Sequence, residues 1–139
     1  MPVVTAVLAD LVHAIQEQDL EAFGRLFADA AVMHEPMRPE PARGRTAIIA
    51  GESALLAAFG DIEVRVRNVV STIDQVLAEV VMTAVNDGPL DLGQGTVEAT
   101  GRRIEVPMVW ALDIDPGTGQ IVEERDYFDP GLIMRQLGL

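Results

Sequence analysis

Gln120-Ile-Val-Glu-Glu-Arg-Asp-Tyr-Phe-Asp129 is the stretch on which the reading of this chain turns. A turn, Asp115-Pro116-Gly117-Thr118-Gly119, precedes it, and an apolar segment from Gly131 to Leu139 follows. Read as a strand with period two, Val122, Glu124, Asp126 and Phe128 share one face, and Ile121, Glu123, Arg125 and Tyr127 the other. One face therefore alternates apolar side chains with two carboxylates roughly 7 Å apart, two residues along a strand. Burying a carboxylate costs several kcal/mol unless it is paired or neutralised. Either this is a solvated edge strand or it is the wall of a site, and the rest of the chain has to decide.

Composition narrows the classes. The 139 residues are 49% hydrophobic with a formal net charge of −12, and the mean hydropathy is positive. That describes a folded chain, expected to form a single domain over 1–139 with one sizeable core. The acidic balance argues against nucleic acid and anionic membrane partners, because phosphate binding rests on clustered Lys and Arg. All ten basic residues are arginine, which removes Schiff-base lysine chemistry and a P-loop. Cysteine is absent, so there are no disulfides and no thiol nucleophile. The two histidines and the carboxylates show no HExxH or similar ligand spacing, and no metal or other cofactor is expected. With no run long enough to span a bilayer and no signal-like N-terminus, the expected compartment is the cytoplasm.

Taken in order, the chain reads helix, helix, short strand, helix, then long strands. Leu8, Leu11, Val12 and Ile15 recur at helical spacing within Val4 to Gln18. Asp19 can cap a second helix whose buried side is Leu20, Phe23, Leu26 and Phe27. Ala31 to Glu35 reads as a short strand with Met33 and Glu35 on one face, ended by Pro36 and a proline-rich loop to Gly44. Thr46 is expected to cap a third helix to about Phe59, striped by Ile48, Ile49, Leu55, Leu56 and Phe59. Glu52 falls in the middle of that stripe. Two readings stand for it: a helix-edge Glu that reaches solvent or an arginine, or a carboxylate pointing into a shared cavity.

From Ile62 onward the pattern is β: Glu63 to Val70, then Gln75 to Asn86, then a loop from Asp87 to Gly95. A long strand from Thr96 to Ile114 is expected to bend near Gly101 and Pro107, with Met108, Trp110, Leu112 and Ile114 on one face. It pairs back onto the opening stretch through the Asp115–Gly119 turn, where Gly117 or Gly119 supplies positive φ. Helices followed by meandering strands give the α+β class: a curved antiparallel sheet with N-terminal helices forming a cone. Such a cone leaves an apolar hollow with a few convergent polar groups.

Leu26-Phe-Ala-Asp-Ala-Ala-Val-Met-His-Glu-Pro36, followed by Gly44-Arg-Thr-Ala-Ile48, resembles the nuclear-transport-factor-2-like superfamily (cystatin-like in architecture). Its SnoaL-like polyketide cyclases, limonene epoxide hydrolases and ketosteroid isomerases share such a segment. Arg125-Asp-Tyr-Phe-Asp129 resembles limonene epoxide hydrolase, and Gly131 to Gly138 is similar to the SnoaL-like ending. The resemblance implies the conical fold along almost the whole chain, and homodimers are common in that group. It places Glu35 where ketosteroid isomerase has its general-base aspartate, with Leu11 at the isomerase's tyrosine and Trp110 near its oxyanion-binding acid. It matches Asp126 to one aspartate of the epoxide hydrolase triad. That triad also needs an Arg-x-Asp pair expected within Gln75 to Asn86, where neither residue occurs. Met33 and Glu35 replace the hydrolase's water-positioning tyrosine and asparagine.

What remains is a new combination of carboxylates. Glu35, Asp126 and Glu52 are the candidate catalytic residues, with Glu35 as base and Asp126 as the acid. Met33, Met108, Trp110, Leu112, Glu124 and Phe128 are the candidate substrate contacts. Desolvation raises one member of such a pair so that it holds a proton while the other stays ionised. The expected function is a cyclase or isomerase of a hydrophobic, polyketide-type intermediate, as in antibiotic biosynthesis. Epoxide hydrolysis or epoxide-opening cyclisation is one alternative. A non-catalytic ligand-binding or dimerisation module is the other.

Overall fold

The computed structural model describes residues 3–139. Helix α1 (Val3–Gln16) buries Val4, Val7, Leu8, Leu11 and Ile15, a stripe at three- and four-residue spacing. It stops two residues before the expected Gln18, which adopts a left-handed φ of 54°. Asp19 then caps α2 (Leu20–Arg25), its side chain accepting the backbone N–H of Ala22 at 3.0 Å. Strand β1 (Phe27–His34) starts four residues earlier than its sequence pattern indicated, anchored by the fully buried Phe27. Burying a side chain of that size contributes about 1.5–3 kcal/mol. The proline-rich loop holds a two-residue strand, β2 (Ala42–Arg43), paired to β1. Helix α3 (Arg45–Ala58) follows. Gly44, at φ 91°, occupies its N-cap position without any side-chain cap, so the expected capping by Thr46 does not occur.

Strands β3 (Gly60–Ser71) and β4 (Gln75–Val85) form an antiparallel pair. A small hairpin, β5 (Leu90–Asp91) with β6 (Thr96–Val97), precedes β7 (Arg103–Ile114). The single strand expected from Thr96 to Ile114 is thus split between β6 and β7, and Gly101 turns through the gap at φ 71°. Pro107 does not bend β7. Its register with β4 runs unbroken through Val81↔Pro107, while the pairing of β7 with β8 (Ile121–Tyr127) reaches only as far as Val109. A missing N–H on that unpaired side costs no ladder bond.

A last helix, α4 (Pro130–Leu137), was not anticipated from the apolar tail. Its signals are nonetheless complete: Asp129 caps it through the N–H of Gly131, Pro130 opens it, and Gly138 closes it in the left-handed region.

The main sheet runs β2-β1-β8-β7-β4-β3. The α+β class and the curved sheet stand, but the sheet is mixed rather than wholly antiparallel, because β1 lies parallel to β8. On β4, Val76, Ala78, Val80, Met82 and Ala84 point inward in strict alternation. The core lies between that face and the helices.

The alternation on β8 fails by one residue. Ile114 pairs with Ile121 while Asp113 pairs with Glu123, so Val122 is the extra residue of a bulge. Ile121 is consequently fully buried and Val122 is 41% exposed, the reverse of the expected faces. From Glu124 onward the expected parity holds, and it is this part that carries the carboxylates.

Candidate active site

A cavity of about 360 Å³ opens between the sheet and α3, bordered by the proline-rich loop and the β5–β6 hairpin. That is at the small end of ligand pockets, roughly 300–1,000 Å³. Strand pairing explains which side chains reach it. Met33 sits beside Glu124 across the parallel β1–β8 pair, and Asp126 sits opposite Trp110 on β7. Glu35, just past the end of β1, extends the Met33 face by two residues. Helix α3 closes the opposite wall and supplies Glu52, Leu55 and the neighbouring Phe59.

Of the residues singled out from the sequence, Glu35, Glu52, Asp126, Met33, Met108, Trp110, Glu124 and Phe128 all line this cavity. Leu112 does not. It shares the face of Trp110 but lies one row further down, opposite Glu124, with 1% exposure in the closed core. Other lining residues escaped the sequence reading: Met82 on β4, Ile62 on the edge strand β3, Ile133 on α4, Met37 and Arg38 in the proline-rich loop, and Leu90 and Leu92 of the hairpin. The inward alternation of β4 would have found Met82. Two leucines in an otherwise polar loop were the signal for the hairpin.

Four carboxyl groups converge on an otherwise largely apolar space. Each has one buried oxygen without a hydrogen-bond partner: Glu35 Oε1, Glu52 Oε2, Glu124 Oε1 and Asp126 Oδ1. Glu35 is the best supported. Its Oε2 accepts the N–H of Met37 at 3.0 Å, and Arg38 Nε lies 3.5 Å from Oε1. Burial still raises its carboxyl, and those two groups oppose the rise. Glu52, the residue left open above, faces the cavity, and burial followed by the charge of Asp126 pushes it up to about 7. Burial also raises Asp126, to about 6, a contact with Glu124 pulling it down and the charge of Glu35 pushing it up. Glu124 is held well above the usual carboxylate range, first by burial and then by Asp126 and Glu52. Where unlike environments separate the acids in this way, proton donors and acceptors coexist near neutral pH.

Two arrangements are not built here. The inward positions of β4 that would carry the epoxide hydrolase's Arg-x-Asp pair hold Ala78, Val80 and Met82. Among the described residues, no group of three or more His, Asp or Glu side chains is disposed to hold a metal ion.

The comparisons with known proteins agree with this architecture. The chain covers 99% of its length against a candidate SnoaL-like polyketide cyclase from Jannaschia sp. CCS1, at 22% identity, 94% of that chain and a TM-score of 0.81. It is 26% identical to IdmH, a candidate polyketide cyclase from Streptomyces antibioticus, over 97% of this chain and 98% of that one, TM-score 0.77. It also superposes on SalBIII, an epoxide hydrolase/cyclase-like enzyme of pyran ring formation in the polyether salinomycin, at 15% identity, 91% of each chain and TM-score 0.75. No curated protein matches the sequence. The profile of the SnoaL-like domain matches residues 8–124, from α1 through the first of the two buried acids on β8, and the chain therefore belongs to the SnoaL-like domain family.

Proposed function

We propose that this protein is a cofactor-independent cyclase or isomerase that moves protons on a hydrophobic, polyketide-type intermediate, with Asp126 as base and Glu52 as acid. The observation that carries the reading is the pair of unpartnered, buried oxygens, Asp126 Oδ1 and Glu52 Oε2, facing one apolar cavity. At neutral pH Asp126, near 6, is largely ionised, and Glu52, near 7, still holds much of its proton. Both values lie close to the working pH, where general acids and bases are most effective. The electrostatics therefore favour Asp126 as the base, whereas the sequence reading gave Asp126 the acid role and Glu35 the base role. Glu35, held by Met37 N–H and Arg38, is a further carboxyl group in the same cavity.

The Asp126 carboxylate takes the proton α to a carbonyl, and the C–H electron pair becomes an enolate. In an isomerisation, the proton returns at another carbon. In a cyclisation, the enolate carbon attacks a second carbonyl of the same molecule, a C–C bond forms, and the new alkoxide takes the proton of Glu52. The walls formed by Met33, Met108, Trp110 and Phe128 hold the chain folded for that attack. IdmH and the Jannaschia protein support the cyclase reading through their shared fold.

The test is deuterium exchange at the α-carbons of a panel of bicyclic ketones and aryl 1,3-diketones in heavy water, followed by proton NMR. The protein should accelerate exchange over buffer, and Asp126→Asn should lose about 10²–10⁴-fold of that acceleration. If the panel binds but no member exchanges faster than in buffer, proton abstraction is not the activity. A catalysed opening of a hydroxy-epoxide by the same preparation would then favour epoxide-opening cyclisation, and its absence a binding module.

A further inference from the structure

Glu124 is the most deeply buried acid among the described residues, 4% exposed, and its Oε1 has no partner. The groups around it do not compensate a negative charge. Its strand neighbours are Leu112 on β7 and Met33 on β1. The titratable groups that act on it are Asp126, two residues along the same face of β8, and Glu52, from α3. Further out in the cavity stand Glu35, with Arg38 beside it, and Glu40 and Asp91 at the mouth. Arg38 is the only cation among the described lining residues, and it faces Glu35.

A buried carboxylate between two other acids and without a cation is costly, and retaining a proton removes that cost. A neutral carboxyl then owns an O–H that needs an acceptor. The next inward carboxyl on that face of β8 is that of Asp126, which lines the same cavity and is the less buried of the two. We propose that Glu124 is a positioning residue: it keeps its proton through neutral pH and donates it to Asp126, so that Asp126 is the ionised member of the pair. A hydrogen bond to a charged acceptor is among the stronger ones. It keeps Asp126 ionised although Glu35 and Glu52 flank it, and it fixes which way the free oxygen of Asp126 points. The assignment rests on Asp126 as the base, but the proton's location can be read without any turnover.

The experiment is carboxyl carbon-13 NMR on the whole chain labelled at Asp and Glu, titrated across the stable pH range. In the unsubstituted protein Asp126 should ionise while Glu124 remains protonated; Glu124 losing its proton at or below the Asp126 midpoint overturns the proposal. Glu124→Leu, which removes the donor, should move the Asp126 midpoint up by more than one pH unit. Glu124→Gln, which keeps an N–H donor, should leave it within half a unit of the parent. An Asp126 midpoint that is the same in all three proteins, or equally raised in both variants, also overturns it. The acid limb of the exchange-rate profile should follow the NMR midpoint. If no ketone exchanges at all, the proposed reaction fails while the NMR result still decides the role of Glu124.

Discussion

At the residue scale, proton storage in the cavity links function to stability. Burial moves the Glu52 carboxyl from 4.5 to about 7, so between those values the folded chain holds a proton that the unfolded chain releases. Stability therefore carries this contribution in full below about pH 4.5 and loses it as pH rises through about 7. The difference corresponds to roughly 3 kcal/mol as an upper bound. Asp126 and Glu124 act in the same direction. Asp113, held low by its bonds to Arg125, acts in the opposite sense, and only in acid. Urea unfolding at about pH 5 and about pH 8 should show lower stability at the higher pH, and Glu52→Gln should flatten that difference. An unchanged slope in the variant would contradict the burial of Glu52. The same two acids set a narrow bell for ketone exchange, rising as Asp126 ionises near 6 and falling as Glu52 loses its proton near 7. Asp126→Asn and Glu52→Gln should each abolish the corresponding limb. The sequence left Glu52 open because helical spacing shows that a residue lies in an apolar stripe, not whether that stripe faces a solid core or a hollow. The same ambiguity misplaced Leu112: parity put it with Trp110, but where the hollow ends is a property of the assembled cone.

At the element scale, the cavity mouth depends on one side chain. Asn86, 1% exposed at the end of β4, donates through Nδ2 to the carbonyls of Ala58 and Gly88. Its Oδ1 accepts from the backbone N–H and the hydroxyl of Thr100. It thus ties the end of α3 to both feet of the β5–β6 hairpin that carries Leu90 and Leu92 into the lining. Asn86→Ala strands these buried partners, at a cost of about 1–3 kcal/mol. Hydrogen exchange should accelerate across residues 87–102 while β4 and β7 stay protected. Uniform acceleration of the whole sheet would mean that Asn86 supports the global fold rather than the hairpin. The order of most helices and strands was legible from periodicity, because long amphipathic segments declare themselves. Several features were not. The Val122 bulge depends on how β7 and β8 register, the parallel β1–β8 contact depends on chain return, and the tail helix is short enough for its caps to say more than its apolar pattern.

At the scale of the whole molecule, the outer face of the sheet is the surface to account for. Its rows alternate apolar and charged partners: Val70, Leu77, Ala111 and Arg125 in one, Asn68, Glu79, Val109 and Tyr127 in the next, Arg65, Val81 and Pro107 in a third. Val70, Leu77 and Tyr127 are 61%, 45% and 58% exposed. Near them Arg125 is held by Asp113 and Glu123 in an ion-pair network. The antiparallel part of the sheet, β3-β4-β7-β8, is of the kind that leaves one face for water or for a partner. A self-complementary, two-fold pairing through this face is the arrangement we expect, since it covers the apolar residues of both copies and lets each copy's carboxylates meet the other's arginines. The cavity opens on the opposite side of the sheet, so pairing would leave it accessible. Light scattering at micromolar concentration should give twice the 15.0 kDa chain mass. Leu77→Arg combined with Tyr127→Glu should return the mass to that of one chain, with ketone exchange retained because neither residue touches the cavity. A single-chain mass for the unsubstituted protein would refute the pairing. A dimer that survives the double substitution would assign the interface to another surface.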